Sequence, residues 1–288
     1  MRMRFQLRPL PSLLLAMLSV QYGAAFAKRL FPVAGPLWTG VLRICFSALM
    51  LALIFRPRLT HLRREQWRAA IPYGIALGGM NLCFYFALER IPLGLAVAVE
   101  FTGPLLVALL GSQRLLDLLW AVLAIVGILL VTPWSASHNA NAAGVGLALC
   151  AGLLWAAYIL LGYRVSQVFS GSTGVAVGMI AAALAVLPAV VFSPARMRFE
   201  PRVLLTGFGV AALSSALPYT LEMVALRAIP ARTFGILMSL EPAVAAACGW
   251  MLLGERLYPA QCFAIVLVMM ASAGTSMAAR RIDSPIEI

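Results

Sequence analysis

Apolar runs of about twenty residues, separated by short polar joints, recur from one end of the chain to the other. A bilayer's hydrocarbon core is about 30 Å thick and takes about 20 helical residues to cross. Each run therefore has the length of a membrane-spanning helix. The pattern predicts ten of them: 10–27, 36–55, 69–88, 93–112 and 116–133, then 144–162, 172–193, 203–224, 231–252 and 257–278. Several carry Gly or Pro, which membrane helices tolerate where neighbours re-satisfy the freed backbone groups. The expected class is an all-α polytopic membrane protein.

The pattern also repeats. Ala87-Leu88-Glu89-Arg90-Ile91-Pro92 returns 138 residues later as Ala225-Leu226-Arg227-Ala228-Ile229-Pro230. In the same register Pro104 falls on Pro242 and Asp117 on Glu255. Each copy runs into an apolar helix that holds one acid, Glu100 in the first and Glu241 in the second. The halves, 1–143 and 144–288, have five helices each, and an odd number inverts the second copy in the membrane. Ten transmembrane helices as two inverted five-helix repeats is a carrier architecture, with polar groups at the repeat interface and alternating access between the halves.

Composition narrows the class further. Of 288 residues, 62% are hydrophobic and only 11% charged, with mean hydropathy +0.95; a soluble domain carries about 25% charged residues. The net charge of +12 could suggest nucleic acid, but the arginines stand mostly at helix ends, so no nucleic-acid partner is expected. With both termini cytoplasmic, Lys and Arg favour the inner joints two to one, although Arg196, Arg198 and Arg202 lie on the outer side. Arg2, Arg4 and Arg8 before an apolar run, with Ala25-Phe26-Ala27, imitate a secretory signal. Gln21, Tyr22 and Gly23 interrupt that run, and its removal would break the duplication, so an uncleaved helix is expected.

The five cysteines lie inside apolar segments without a paired spacing, and His61 and His138 lie in joints. No disulfide framework, metal site or cofactor is expected. HExxH, GxSxG and cysteine–histidine arrangements are all missing from the sequence, which leaves a membrane-embedded enzyme without a catalytic constellation. In a structural or signalling membrane protein, the intramembrane glutamates should tolerate substitution.

The candidate chemistry is therefore polar residues inside apolar helices. A carboxylate at the bilayer centre costs about 2.5–3.5 kcal/mol and normally faces a cavity or a partner. Glu100 and Glu241 each stand just before a proline, in Glu100-Phe101-Thr102-Gly103-Pro104 and Glu241-Pro242, beside backbone that the proline loosens. The alternative for both is an acid tied to a neighbouring helix for packing. Gly74, Gly78, Asn81 and Tyr85 share one side of the third helix, and Ser215, Tyr219 and Glu222 share one side of the eighth. Asn81 and Tyr219 occupy equivalent repeat positions. These groups either line a common cavity or hold closely packed helices together, and Glu222 also has the option of the membrane surface. Trp155 and Tyr158 offer an aromatic face on the sixth helix, as substrate contacts or interfacial anchors. Arg43, inside the second helix, wants a carboxylate of substrate or protein. Asp117 and Glu255 are read as helix-start residues that complement the macrodipole.

Two long blocks carry a resemblance. One is Gly78-Gly79-Met80-Asn81 followed by Ile91-Pro92-Leu93-Gly94-Leu95-Ala96-Val97-Ala98-Val99-Glu100-Phe101-Thr102-Gly103-Pro104. The other is Ala216-Leu217-Pro218-Tyr219-Thr220-Leu221-Glu222-Met223 with Arg232-Thr233-Phe234-Gly235-Ile236-Leu237-Met238-Ser239-Leu240-Glu241-Pro242-Ala243. In order, from Gln21 through Gly254-Glu255, the chain resembles the threonine/homoserine exporters of the EamA-type branch of the drug/metabolite transporter superfamily. The resemblance implies a multi-pass carrier of the bacterial inner membrane, monomer or homodimer, that exports small amino acids against proton uptake. The family's polar motif lands on Asn81, Glu100, Tyr219, Glu222, Arg232, Thr233 and Glu241. Tyr22 stands beside Gln21 where a smaller residue is expected, which leaves substrate size open. The superfamily also carries aromatic amino acids, cysteine derivatives, nucleosides and drugs. On this reading a substrate's ammonium pairs with Glu100 or Glu241, its carboxylate meets Arg43 or helix N-terminal amides, and a proton competes for the same carboxylate.

Overall fold

A computed structural model describes residues 9–110, 115–131, 141–169, 173–191, 200–218, 221 and 231–278. No strand occurs among them. The first helical run, Pro9–Phe55, contains a break at Gly35, whose φ of 73° and ψ of 164° are open to glycine but not helical. It divides the run into α1 (9–34) and α2 (36–55). Gly23 on α1 packs directly against Ser214, while Ser47 on α2 donates or accepts at 2.7 Å with the adjacent Ser215. In one straight helix, residues 23 and 47 would lie about 36 Å apart. The chain therefore turns back at Gly35, with Pro36 immediately after it.

Then follow α3 (Arg64–Leu88), α4 (Leu93–Glu100), α5 (Thr102–Leu110), α6 (Leu115–Val131), α7 (Ala142–Val168) and α8 (Thr173–Val191). The last four are α9 (Pro201–Ala211), continued by a π turn over Ala212–Ala216, α10 (Ala231–Met238), α11 (Glu241–Leu253) and α12 (Pro259–Ala278). Among the described residues six helices are long and apolar enough to cross a membrane, beginning with Leu10–Phe55, which is long enough for two passages.

The first predicted helix was expected to end at 27. It continues to 34 because the two charges that read as a joint are satisfied within the fold. Lys28 pairs with Glu255 at 2.7 Å and donates to the Ile91 carbonyl at 2.9 Å, and Arg29 donates to the Leu252 carbonyl. The expected continuous helices 93–112 and 231–252 are both broken, at Phe101 and at Ser239–Leu240. Pro104 and Pro242 are the cause: lacking an N–H, they leave the carbonyls of Glu100 and Met238 without their helical donors. Phe101 and Ser239 hold equivalent positions in the sequence echo.

The largest core cluster gathers small and branched residues from α1, α3, α4, α7, α11 and α12, including Ala27, Leu88, Leu93, Ala148, Ala245 and Val268. Gly94 of α4 meets the backbone and Cβ of Ala246 on α11, so only an alanine's methyl stands between the two helices there. A second cluster joins α2, α3, α7 and α8. Helices α3 and α7 run antiparallel along their length. Gln66 Nε2 donates to the Val168 carbonyl at 3.0 Å, the Tyr73 and Tyr158 rings lie 4.8 Å apart, and the Cys83 and Cys150 thiols approach to 3.7 Å as free cysteines.

Candidate functional site

The two helix breaks are repaired in the same way. At the first, Thr102 Oγ1 donates to the Val99 carbonyl at 2.7 Å; at the second, Ser239 Oγ donates to the Ile236 carbonyl at 2.6 Å. In both, a hydroxyl donates to the carbonyl three residues back, near the carbonyl that the proline frees. Glu100 is the last residue of α4 and Glu241 the first of α11. The carboxyl of Glu100 stands at the carbonyl end of a helix, which attracts cations, and that of Glu241 at the amide end, which attracts anions.

Helix α7 presses against the first break with its backbone. A Cβ on Gly103 would lie 2.0 Å from the Gly152 carbonyl oxygen, and one on Gly152 would lie 2.8 Å from the carbonyl oxygen of Glu100. Only glycine at both positions allows the approach, and it seats the break one turn from Trp155. The Trp155 ring then meets Phe101 edge-on, with centroids 5.1 Å apart.

Both acids line one cavity of about 260 Å³ in the middle of the bundle. Glu100 is 8% exposed and Glu241 6%, so neither is solvated by bulk water. Gln21 of α1, 2% exposed, donates its Nε2 to Glu241 Oε1 at 3.0 Å. Arg43 enters the same cavity from α2. Its guanidinium lies 5.5 Å from the centroid of the Tyr85 ring and approaches the Ser214 carbonyl at 3.5 Å. That carbonyl belongs to the π turn, whose irregular geometry turns backbone groups outward; Ser19 Oγ takes the neighbouring Leu213 carbonyl at 2.6 Å. Asn81, Phe84, Trp155 and Tyr158 complete much of the wall. A cavity that gathers an arginine, two carboxyls and an aromatic wall at broken helices matches an amphoteric small molecule.

Residues 9–132 and 142–277 match the EamA-like transporter family. The chain belongs to that family. It is 43% identical over 274 residues to the threonine/homoserine exporter RhtA of Escherichia coli K12, covering 95% of this chain and 92% of RhtA. The same identity and coverage hold for RhtA of Salmonella typhimurium LT2. The uncharacterized transporter YwfM of Bacillus subtilis is 25% identical over 86% of each chain. A crystal structure at 17% identity superposes with a TM-score of 0.59 over 94% of this chain and 99% of the other, a shared fold.

In this EamA-family chain, six of the residues singled out in the sequence come together around the cavity: Arg43, Asn81, Glu100, Trp155, Tyr158 and Glu241. Tyr85 does not line it. Its side chain is fully buried beneath Arg43 and packs on Phe31 and Phe84, a platform for the guanidinium. Tyr219 and Glu222, and the side chain of Arg232, lie outside the described residues, as do His138 and the side chain of Asp117. Asn81 spends one amide hydrogen on the Leu77 carbonyl at 2.8 Å, within its own helix.

Glu255 differs from its sequence reading. It precedes α12 by several residues, and Gly254, in the left-handed region at φ 67°, ends α11 and turns the chain toward α4. There Glu255 Oε2 accepts from the Leu93 amide at 2.8 Å while Oε1 holds Lys28. It caps α4, a helix from the other half, and not its own. Gln21 was singled out as a residue foreign to a signal sequence and as the neighbour of Tyr22 in the family resemblance, not as a partner of Glu241. A buried amide in a run of apolar residues was the available signal, and only the fold brings it to Glu241.

Proposed function

We propose that this protein is a secondary carrier of the bacterial inner membrane that exports small amino acids of the threonine and homoserine class in exchange for protons. The observation that carries the reading is the single cavity in which Glu100, Glu241 and Arg43 meet at two broken helices. Membership of a transporter family, with amino-acid exporters as relatives, points the same way. The reading includes ten transmembrane helices, as inverted repeats 1–143 and 144–288, with both termini in the cytoplasm. Echoed breaks at Phe101 and Ser239 support that symmetry, and so does the close packing of α4 on α11 across the halves.

The substrate's ammonium pairs with the carboxylate of Glu100 at the carbonyl end of α4. Its carboxylate faces the guanidinium of Arg43. Gln21 holds Glu241 in place. A proton and an ammonium compete for the same carboxylate, because each neutralises it. When a proton arrives from outside, the substrate is released there, and the protonated carrier returns to the inner face. Acidification of the outer side therefore accelerates export, and alkalinisation slows it. A cavity of about 260 Å³ lies below the range of about 300–1,000 Å³ typical of drug-sized ligands, which favours a small metabolite over a drug.

The test uses proteoliposomes loaded with threonine. Wild-type protein exchanges internal for labelled threonine or homoserine, and a pH gradient drives net movement. Glu100→Gln and Glu241→Gln abolish the gradient-driven movement while the protein still inserts. Full gradient-driven activity in both variants would remove these carboxyls from the mechanism. A second reading rests on the aromatic wall of Phe84, Phe101, Trp155 and Tyr158: an aromatic amino acid as the preferred cargo. Inhibition of threonine exchange by phenylalanine at lower concentration than by homoserine would favour it.

A further inference from the structure

A second cavity, of about 320 Å³, opens where the start of α3 meets the end of α7. Its wall is mostly apolar, but charged and polar side chains stand around it: Glu65 and Arg68 from α3, and Tyr163, Arg164 and Gln167 from α7. Gln66 closes one side by its bond to the Val168 carbonyl. Both arginines are exposed, and neither makes a hydrogen bond or ion pair with any described residue. Two unengaged guanidinium groups on facing helices form a seat for a phosphate, which such forks bind with paired hydrogen bonds. The surrounding charge has the same sign: Arg56, Arg58, Arg63 and Arg64 crowd the chain just before and at the start of α3.

The surface leading away from the arginines is apolar. Ile71 and Ile75 follow Arg68 by three and seven residues and share its face of α3. Leu160 and Leu153 precede Arg164 by four and eleven and share its face of α7. The four side chains are 46% to 60% exposed, and because the helices are antiparallel the two stripes run side by side toward the bundle's middle. Two arginines at a mostly apolar cleft, above a twin apolar stripe, have the profile of a phospholipid site: a phosphate at the membrane surface and acyl chains along the helices.

We infer that the α3–α7 cleft is a binding site for an acidic phospholipid, with its phosphate between Arg68 and Arg164 and its acyl chains along Ile71, Ile75, Leu153 and Leu160. Glu65 adds a hydrogen-bond acceptor to the lining that holds the two arginines. A carboxylate on the rim repels a bare inorganic anion but accepts hydrogen bonds from the hydroxyls of a glycerol headgroup, so phosphatidylglycerol fits better than free phosphate. The lipid would bridge α3 and α7, the helices that carry Asn81, Trp155 and Tyr158 into the central cavity. The inference needs only that the chain lies in a membrane, and it stands apart from which substrate is carried.

The test is native mass spectrometry of the full-length protein, purified in a neutral detergent and stripped of lipid. It is titrated with phosphatidylglycerol, with phosphatidylcholine of the same acyl chains, and with inorganic phosphate as competitor. Phosphatidylglycerol is expected to bind well above phosphatidylcholine and to resist phosphate. An arginine near an acidic headgroup is worth about fivefold in affinity, so Arg68→Gln with Arg164→Gln weakens phosphatidylglycerol about thirtyfold. Arg256→Gln, an exposed arginine outside the cleft, leaves it unchanged. If the double variant fails to fold, each single variant shows its own loss of about fivefold. Equal affinity for the two lipids, or full affinity in the arginine variants, overturns the site. Displacement of the lipid by inorganic phosphate at comparable concentration makes it a soluble-anion site and equally overturns the proposal.

Discussion

At the scale of single residues, the site depends on polar side chains held where solvent cannot reach them. Gln21 is the least conspicuous. Its amide donates to one oxygen of Glu241 at 3.0 Å. Gln21→Leu, close in volume, removes the donor and keeps the packing. Exchange in proteoliposomes is expected to fall about tenfold, the effect of about 1.4 kcal/mol lost with one buried hydrogen bond, with membrane insertion unchanged. An equal loss of folded protein would instead make Gln21 a packing residue. Arg43 shows a different device. It lies over the Tyr85 ring and beside a carbonyl of the π turn, so its charge is steadied by a quadrupole and a dipole while its edge stays turned to the cavity.

At the scale of elements, α4 and α5 are one apolar stretch cut in two. The cut depends on Pro104 and on a neighbour close enough to bear against the exposed backbone. Helix α7 is that neighbour, and it comes so close because both contact points lack side chains. Gly103→Ala is expected to lower the melting temperature in detergent and to cost about 1–3 kcal/mol, the range of overpacking in a tight interior, since the added carbon would meet the Gly152 carbonyl oxygen. Gly146→Ala on α7 is the matched control. A Cβ there meets nothing within 4 Å, and alanine's better helix propensity makes it neutral or slightly stabilising. Equal effects of the two substitutions would show that helix propensity, and not the close approach, decides.

At the scale of the whole molecule, one end of the bundle is tied together. Lys28 from α1, the Leu93 amide at the start of α4 and the turn after α11 all converge on Glu255. The pair is only partly solvated, with side chains 22% and 14% exposed, so removing one partner strands the other charge and costs more than breaking a surface ion pair. Glu255→Gln keeps a hydrogen-bond acceptor for α4 but loses the charge; Glu255→Ala loses both. The expected order of melting temperatures is wild type, then Gln, then Ala. Lys28→Met combined with Glu255→Gln should cost less than the two single changes added, because the partners couple. Additive effects would show that the two groups stabilise the bundle independently. Because this end must open if the cavity is to face that side, the same variants should change exchange rate more than binding of substrate.

Much of this was already legible in the chain itself. Helical class, membrane placement and the two acids inside apolar helices follow from local facts: the length of each apolar run, the period of the pattern and the cost of a charge in hydrocarbon. Family membership rests on the same linear information. What the sequence could not decide was everything that depends on which helices meet. Continuous helices were expected at 93–112 and 231–252 because a proline in a membrane segment can kink, break or be tolerated, and the choice lies with the neighbours that satisfy the freed carbonyls. Lys28 and Arg29 looked like a joint because their partners, Glu255 and the Leu252 carbonyl, are more than 200 residues away. Glu255 looked like the start of its own helix because the amide it caps belongs to the other half. Gln21 had no visible purpose until α1 was laid against α11. Periodicity and burial cost act along the chain and can be read there; hydrogen-bond partners, close approaches and cavities are properties of distance in space, and only the folded chain sets those.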